Sequence, residues 1–184
     1  MDNGASSYRR FLEGDDQGLY EIICAYERGL LLYLNSMVRN LRVAEELAED
    51  TFAALAVRKP RFHGRSTFKT WLFAIGRNLA VSYLRREARR QHVPIEEQTD
   101  LQDETDLERE YIRTEQKIAV HRALRRLSPE YQQVLYLSYF EEFDNAQTAK
   151  IMHKTRRQIE NLLYNARKRL RSELERDGFT YENL

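Results

Sequence analysis

Apolar residues recur twice in this chain with the spacing of an α-helix that is buried along one side. They are Phe68, Trp71, Leu72, Ile75 and Leu79 in the first stretch, and Ile159, Leu162, Leu163, Ala166 and Leu170 in the second. Both sets follow i, i+3, i+4, i+7 and i+11, which is the period of one helix face. Only seven Gly and three Pro occur in 184 residues, too few turn residues for a strand-rich fold. The sequence therefore predicts an all-α protein.

Further helices are predicted from the same kind of pattern. They cover Leu19–Asn40, Val43–Arg58 and Asn145–Met152. One more begins at the predicted N-cap Ser128 and carries Val134, Leu135, Tyr139 and Phe140 on its buried side. Pro60 should stop the second of these, because proline lacks the backbone N–H and clashes with the preceding turn. Residues Arg61–Thr67 should then form a loop around Gly64.

Charge is distributed in blocks of alternating sign, which indicates separate modules with separate partners. Residues 58–95 hold ten bases and one acid, whereas residues 96–115 hold nine acids and two bases. Residues 92–108, which contain Pro94 and most of these acids, have few large apolar residues, and this is the composition of a linker. We predict two small helical domains, 1–90 and 113–184, joined by an acidic linker over 91–112.

The basic block alternates its cations with aromatic residues, and two interpretations are open. Cations follow a phosphate backbone and aromatic faces stack unpaired bases, so the block could hold single-stranded nucleic acid. Alternatively, the aromatics are core and the cations a solvated face. Helical geometry favours a core position for Phe68 and Trp71, places Arg77 opposite them, and leaves Asn78 at the edge of the buried stripe, with Ser82 one turn further on.

The C-terminal block has the features of a helix-turn-helix. Thr155 and Gln158 match a capping box at a helix start, and a tight turn at His153-Lys154 separates this helix from Asn145–Met152. The outward residues are Arg156, Arg157, Gln158, Glu160, Asn161, Tyr164, Asn165 and Lys168. Such a helix can enter the major groove and present its first turns to base edges. An ordinary helical hairpin with a basic face is the alternative.

Several classes of site are not expected. Cys24 is the single cysteine and the four histidines are scattered, so neither a disulfide nor a metal site is expected. No catalytic residues and no cofactor are expected either. The N-terminus MDNGASSYRR has no apolar signal core, and the longest uncharged apolar run is far shorter than the roughly 18 residues of a membrane span. We expect a cytoplasmic protein without membrane insertion.

Two stretches resemble conserved regions of bacterial sigma factors. VAEELAEDTFAAL together with FHGRSTFKTWLFAIGRNLAVSYLRR resembles the second region, and ALRRLSPEYQQVLYLSYFEEFDNAQTAKIMHKTRRQIENLLYNARKRLRSEL resembles the fourth. Their order, with only a short linker between them, is similar to the extracytoplasmic-function (ECF) group. The resemblance implies a non-enzymatic initiation factor that binds core RNA polymerase, recognises −35 and −10 promoter elements and promotes melting of the DNA.

The resemblance also implies which residues act at each site. The core polymerase-binding positions are Glu45, Glu46, Leu47, Glu49, Asp50 and Phe52. The −10 DNA-binding positions are Arg61, Phe62, His63, Gly64, Arg65, Ser66, Arg77, Asn78, Ser82 and Arg85. The −35 positions are the eight outward residues of the last helix. The chain departs from the family pattern at Glu160, where many relatives carry Lys or Arg, and at His153, where the turn frequently has Gly.

The implied partners are the clamp of the largest polymerase subunit, the flap of the second subunit, promoter DNA and an anti-sigma factor. Two other classes of protein fit less of the sequence. A two-domain regulator would use the helix-turn-helix but leaves the basic block and the acidic helix around Glu46 unexplained. A nuclease or recombinase needs paired carboxylates for two-metal chemistry, and the basic block has no acid before Glu87.

Overall fold

The computed structural model describes residues 3–90 and 115–178, and these form eight α-helices and one π-helical turn. The α-helices are α1 (Asn3–Leu12), α2 (Gln17–Val38), α3 (Leu41–Arg58), α4 (Phe68–Arg90), α5 (Glu115–Arg125), α6 (Pro129–Leu135), α7 (Asn145–Met152) and α8 (Arg156–Arg176). The π-helical turn is Tyr136–Phe140. Within the described ranges there is no strand, and the all-α prediction is confirmed.

Local signals in the sequence explain where α3 and α6 begin and where α3 ends. The Asn40 side chain caps α3 by accepting a hydrogen bond from the Val43 N–H at 3.2 Å. At the other end Lys59 turns the chain with a φ of 44° immediately before Pro60. In α6 the Ser128 hydroxyl accepts from the Tyr131 N–H, with proline in the first turn, as predicted.

The N-terminal helix α1 was not predicted. It lies against α2 and α4, and Tyr8 and Phe11 are buried at 1% and 5% exposure. The two backbones approach so closely at Gly18 that a Cβ there would collide with the Ser7 carbonyl. The helix therefore belongs to the N-terminal core, and glycine is required where α2 crosses it.

The π-helical turn overturns the prediction that Tyr139 and Phe140 lie on a buried side. Here the Glu141 N–H donates to the carbonyl of Tyr136, five residues back, at 3.2 Å. The wider turn shifts the helical register, so that Leu137 is completely buried while Tyr139 and Phe140 are 57% and 47% exposed.

The apolar core is continuous from the first half of the chain into the second. The ring of Tyr33 on α2 stacks on Tyr136 with centroids 6.5 Å apart, and Phe73 on α4 meets Phe143 edge-on at 5.2 Å. The two halves are thus in direct contact. The division at 1–90 and 113–184 stays a prediction, and the predicted linker 91–112 lies outside the described residues.

Candidate functional site

Helix α8 begins with the predicted capping box. The Thr155 Oγ1 accepts from the Gln158 N–H at 3.2 Å, and the Gln158 Oε1 accepts from the Thr155 N–H at 2.8 Å. Ile159, Leu163 and Ala166 are buried beneath the helix. The cap and the apolar stripe together fix which side of α8 faces outward, because a cap sets the start of the helix and the stripe sets its rotation.

The outward face of α8 mixes cations, amides and an acid. All eight positions named from the sequence are exposed, and Tyr164 is 68% exposed. Glu160 is not free of partners: its Oε1 accepts from the Arg156 Nε at 3.1 Å. The Oε1 of Gln158 is held in the cap, whereas its amide nitrogen remains a possible donor. The face therefore offers both phosphate-binding and base-reading groups.

Helix α7 and the turn after it complete the helix-turn-helix. Asp144 and Gln147 form a second capping box at the start of α7. His153 occupies the turn with a φ of 52°, in the left-handed region that favours glycine. Lys154 then forms an ion pair with Glu130 of α6 at 2.7 Å, which ties the turn to the preceding helix.

The loop Arg61–Thr67 lies directly before α4, as predicted. Gly64 has a φ of 69° and open space where a Cβ would stand. His63 and Arg65 are exposed. Phe62 is half-buried, with its ring 5.2 Å from Trp71 and 5.6 Å from Phe68. The exposed charged and polar groups of the loop are thus available to a ligand, while Phe62 is engaged in packing.

One face of α4 continues from this loop. Asn78, Ser82 and Arg85 are exposed at i, i+4 and i+7, and the Ser82 hydroxyl donates to the Asn78 carbonyl at 2.8 Å. Arg77 is separated from them. It is half-buried, its Nε is fully buried, and its charge lies beside the buried phenol of Tyr33, whose pKa is raised by burial and partly lowered again by Arg77.

A groove of about 200 Å³ runs between α3 and α4, next to the acidic surface of α3. Glu46, Glu49 and Asp50 are exposed and Glu45 is half-buried. Leu47 lines the groove, but Phe52 is 7% exposed and packed in the core. Phe52 therefore supports α3 from beneath and offers little surface to a partner.

Sequence reasoning missed the α4 wall of this groove, formed by Tyr83, Arg86, Glu87 and Arg90. Their i, i+3, i+4 and i+7 spacing is a helix-face signal that could have found them. The pKa of Tyr83 is raised by partial burial and by the charges of Glu87 and Glu46. Charged residues of both signs therefore line the groove around the apolar side chains of Val43 and Leu47.

In the described ranges 3–90 and 115–178, no cluster of His, Cys, Asp or Glu could hold a metal ion. In the same part of the chain no helix is long and apolar enough to cross a membrane.

The two halves of the chain match two parts of one family. The family model for sigma-70 region 2 matches residues 22–90, and the model for sigma-70 region 4 matches residues 117–170. Helix α1 precedes the first match.

Relatives and solved structures agree with these matches. The RNA polymerase sigma factor YlaC of Bacillus subtilis (strain 168) is 28% identical over 151 residues, covering 81% of this chain and 87% of that protein. The ECF RNA polymerase sigma factor SigX of the same organism is 24% identical over 174 residues, covering 89% and 86%.

The fold is that of solved sigma factors. The sigma factor RpoE in complex with the anti-sigma factor NepR from Bartonella quintana has a TM-score of 0.65 at 23% identity, covering 85% of this chain and 96% of that one. CnrH in complex with the cytosolic domain of CnrY has a TM-score of 0.64 at 18% identity, covering 95% and 96%. With regions 2 and 4 in order on an all-helical chain, this protein belongs to the ECF group of the sigma-70 family of RNA polymerase sigma factors.

Proposed function

We propose that this sigma factor divides polymerase binding and promoter recognition among three of its surfaces. The α3–α4 groove and its acids bind the clamp of the largest subunit of core polymerase. The Arg61–Thr67 loop and the exposed face of α4 hold the −10 strand, and α8 reads the −35 duplex. The main support for the proposal is the structure of α8. This capped helix presents eight exposed polar or aromatic residues on the side opposite its buried apolar stripe. Sigma factors are initiation factors, and the polymerase performs the chemistry.

At the −35 element the outward residues of α8 have different tasks. Asn161 and Asn165 carry amides that suit adenine, and Glu160 can accept from the cytosine amino group. Arg156, Arg157 and Lys168 are exposed cations that anchor phosphates and set the register of the helix in the groove. The ion pair between Arg156 and Glu160 must open or be shared when Glu160 meets a base.

At the −10 element the loop receives a base that has left the duplex. Extruding a base costs a few kcal/mol, which contacts in a fitted pocket must offset. His63 and Arg65 are exposed and flank Gly64, so they are the groups we assign to this contact. Phe62 holds the loop against Trp71 and contributes by positioning the loop. Ser66 and Arg61 remain members of the proposed contact set, as does Arg77 through its partly buried charge.

Two further partners follow from exposed surfaces and from the relatives. We assign the flap of the second polymerase subunit to the exposed rings of Tyr139 and Phe140, which stand out from the π-helical turn. A solved sigma factor of similar fold is in complex with an anti-sigma factor, and we propose that a protein of this kind also controls this chain. The proposed location is the bacterial cytoplasm, where the polymerase acts.

The test is run-off transcription with core polymerase and this protein on a randomised promoter library. We expect selected templates to share two sequence blocks at a fixed separation, because two linked weak contacts select together. Selection of a single block, or transcription independent of the added protein, would contradict the proposal. Pull-down of core polymerase in the absence of other factors separates a sigma factor from a stand-alone DNA-binding regulator.

A further inference from the structure

Helix α1 holds the segment that leads into the Arg61–Thr67 loop. The Tyr8 hydroxyl donates a hydrogen bond to the Pro60 carbonyl oxygen at 2.7 Å. One residue earlier, the Lys59 ammonium stands 4.9 Å from the centre of the Phe11 ring. Lys59 turns the chain here with a φ of 44°. Two consecutive residues between α3 and the loop are therefore each in contact with a side chain of α1.

The ring of Tyr8 also packs on the two aromatic residues that support the loop. Its centroid lies 5.4 Å from that of Phe68 and 5.5 Å from that of Trp71. The ring of Phe62, inside the loop, packs on the same two rings at 5.6 Å and 5.2 Å. Ring pairs in tilted or edge-on arrangements are favourable. Helix α1 and the loop therefore share one aromatic support at the start of α4.

The other end of the loop is held by hydrogen bonds at the start of α4. The Thr67 Oγ1 accepts from the Thr70 N–H at 3.2 Å, and the two hydroxyl oxygens are 2.8 Å apart. Thr70 is buried. Between the two ends, His63 and Arg65 are exposed on either side of Gly64. The groups that we assign to the unpaired base thus lie on a short span of chain that is anchored at both ends.

Two glycines allow α1 to lie close enough to make these contacts. A Cβ at Gly4 of α1 would stand 2.5 Å from the Phe68 Cδ1. A Cβ at Gly18 of α2 would stand 2.2 Å from the Ser7 carbonyl oxygen. Real Cβ atoms do not approach other atoms so closely, so any larger residue would push α1 away from α4 or from α2. Close packing therefore fixes the place of the tyrosine hydroxyl relative to the loop.

A loop that is anchored before it binds loses less conformational freedom on binding. The cost of ordering a mobile segment is subtracted from the affinity for its ligand. Capture of an unpaired base also has to offset the cost of taking that base out of the duplex. Contacts that order the loop beforehand therefore favour promoter opening, although the residues that make them do not touch the DNA.

We propose that Tyr8 is a positioning residue for promoter opening. Its hydrogen bond to Pro60 holds the Arg61–Thr67 loop in the conformation that receives the unpaired base, and Phe11 assists by holding Lys59. Helix α1 precedes residues 22–90, which match the region 2 model, so that match assigns no role to either aromatic residue. This inference rests on the proposed assignment of the loop to the −10 strand.

Two variants weaken the anchor without changing any residue assigned to promoter DNA. Tyr8→Phe removes the hydroxyl and keeps the packed ring. Phe11→Leu removes the aromatic face beside Lys59 and keeps an apolar side chain in the core. The matched control is Thr51→Val, which removes another buried hydroxyl of the N-terminal core, one that donates within α3 at 2.7 Å. Its Oγ1 faces Gly76, in the middle of α4 and away from the loop.

Each variant is assembled with core polymerase, and open complexes on a promoter selected from the randomised library are quantified by permanganate footprinting. We expect Tyr8→Phe and Phe11→Leu each to reduce opening, by roughly three- to tenfold for the lost hydrogen bond. Affinity for core polymerase and opening by Thr51→Val should be unchanged. The measurements are repeated in a second background that carries His63→Ala and Arg65→Ala. There Tyr8→Phe should change opening by less than about twofold, because the groups that it positions are gone.

Full opening with either folded variant would overturn the inference. An equal loss from Tyr8→Phe in both backgrounds would also overturn it, because Tyr8 would then act through the stability of the core and not through the loop. A similar loss with Thr51→Val would lead to the same conclusion. Failure of the underlying loop assignment is detected separately. In that case the variant with His63→Ala and Arg65→Ala alone would open the promoter as the unchanged protein does.

Discussion

The Tyr8 hydroxyl of α1 donates a hydrogen bond to the Pro60 carbonyl oxygen at 2.7 Å. The ring of Tyr8 also lies 5.5 Å from Trp71. This links the N-terminal helix to the residue immediately before the Arg61–Thr67 loop. The bond is partly shielded from water, because Tyr8 is 1% exposed and Pro60 is half-buried.

Tyr8→Phe should lower the free energy of unfolding by about 1 kcal/mol, because the ring stays packed and one buried hydrogen bond is lost. Tyr8→Ala should cost about 3–5 kcal/mol, because it also leaves a cavity. Urea unfolding followed by circular dichroism measures both. Equal losses for the two substitutions would show that the ring contributes little.

Ionisation of the buried tyrosines should lower the free energy of unfolding at alkaline pH. Burial raises the pKa of Tyr8 to about 12, whereas an unfolded tyrosine titrates near pH 10. The neutral phenol is favoured in the folded state, so this stabilisation is complete below about pH 10. Below pH 10 it amounts to about 3 kcal/mol, and it is lost as the pH rises from about 10 to about 12. Burial raises the pKa values of Tyr33 and Tyr136 in the same direction.

Urea unfolding between pH 8 and 11, with tyrosinate absorbance recorded in parallel, tests this. Tyr8→Phe should show a shallower alkaline decline. Complete ionisation of all tyrosines near pH 10 in the folded protein would contradict the prediction.

His63→Ala with Arg65→Ala should reduce open complexes on duplex promoters if the loop captures an unpaired base. A pre-melted template removes the cost of unpairing, so it should recover part of the loss. Permanganate footprinting of both templates gives the comparison. Phe62→Ala serves as a contrast, because it should lower thermal stability by loosening the contact with Trp71. Equal defects on both templates for the double variant would indicate general phosphate binding.

Charge reversal at Glu46 and Asp50 should weaken holoenzyme formation, because both carboxylates are exposed beside the α3–α4 groove. The helical circular dichroism signal should remain, since neither side chain is in the core. Affinity for core polymerase is measured by fluorescence anisotropy of the labelled protein. Charge reversal at Glu13, an exposed acid that directly follows α1, is the control, because it makes the same kind of charge change away from the groove. Unchanged affinity for the double variant would remove the docking assignment.

Glu160→Lys should change which −35 sequences are preferred, by on the order of 1–3 kcal/mol at one base pair. Lys168→Ala should weaken all sequences about equally and flatten the salt dependence. Binding of holoenzyme to a −35 library at several salt concentrations separates the two effects. If Glu160→Lys tightens every promoter alike, Glu160 is an exposed charge near the backbone and reads no base.

Periodicity and caps predicted most of this fold. The buried face of α8 follows directly from apolar spacing, and the start of α8 follows from Thr155 and Gln158. For α4 the spacing was only partly right: Phe68 and Leu72 are buried as predicted, whereas Trp71, Ile75 and Leu79 are half-buried and the core side continues through Phe73, Gly76 and Ala80. The exposed position of Asn78 also follows from its angle around α4. These features are local, so the sequence around each residue is sufficient to determine them.

The missed features depend on contacts between distant residues or on small changes of register. Helix α1 has its own signal, since Tyr8 and Phe11 lie three residues apart, but its burial depends on α2 and α4. Phe140 is exposed because the π-helical turn changes the helical register. The spacing of apolar residues alone does not reveal such a turn. Helical geometry places Arg77 opposite the apolar stripe that contains Phe68. However, α2 covers that side of α4 and places Tyr33 beside Arg77.

The exposure of α8 sets an order of encounter with DNA. Its cations attract any double helix without regard to sequence, and such contacts let a protein slide along DNA. In the proposed function, the surface of α4 meets DNA only where the two strands have separated. We therefore expect the C-terminal helix to locate a site before the N-terminal helices open it, so that locating and opening are separate events.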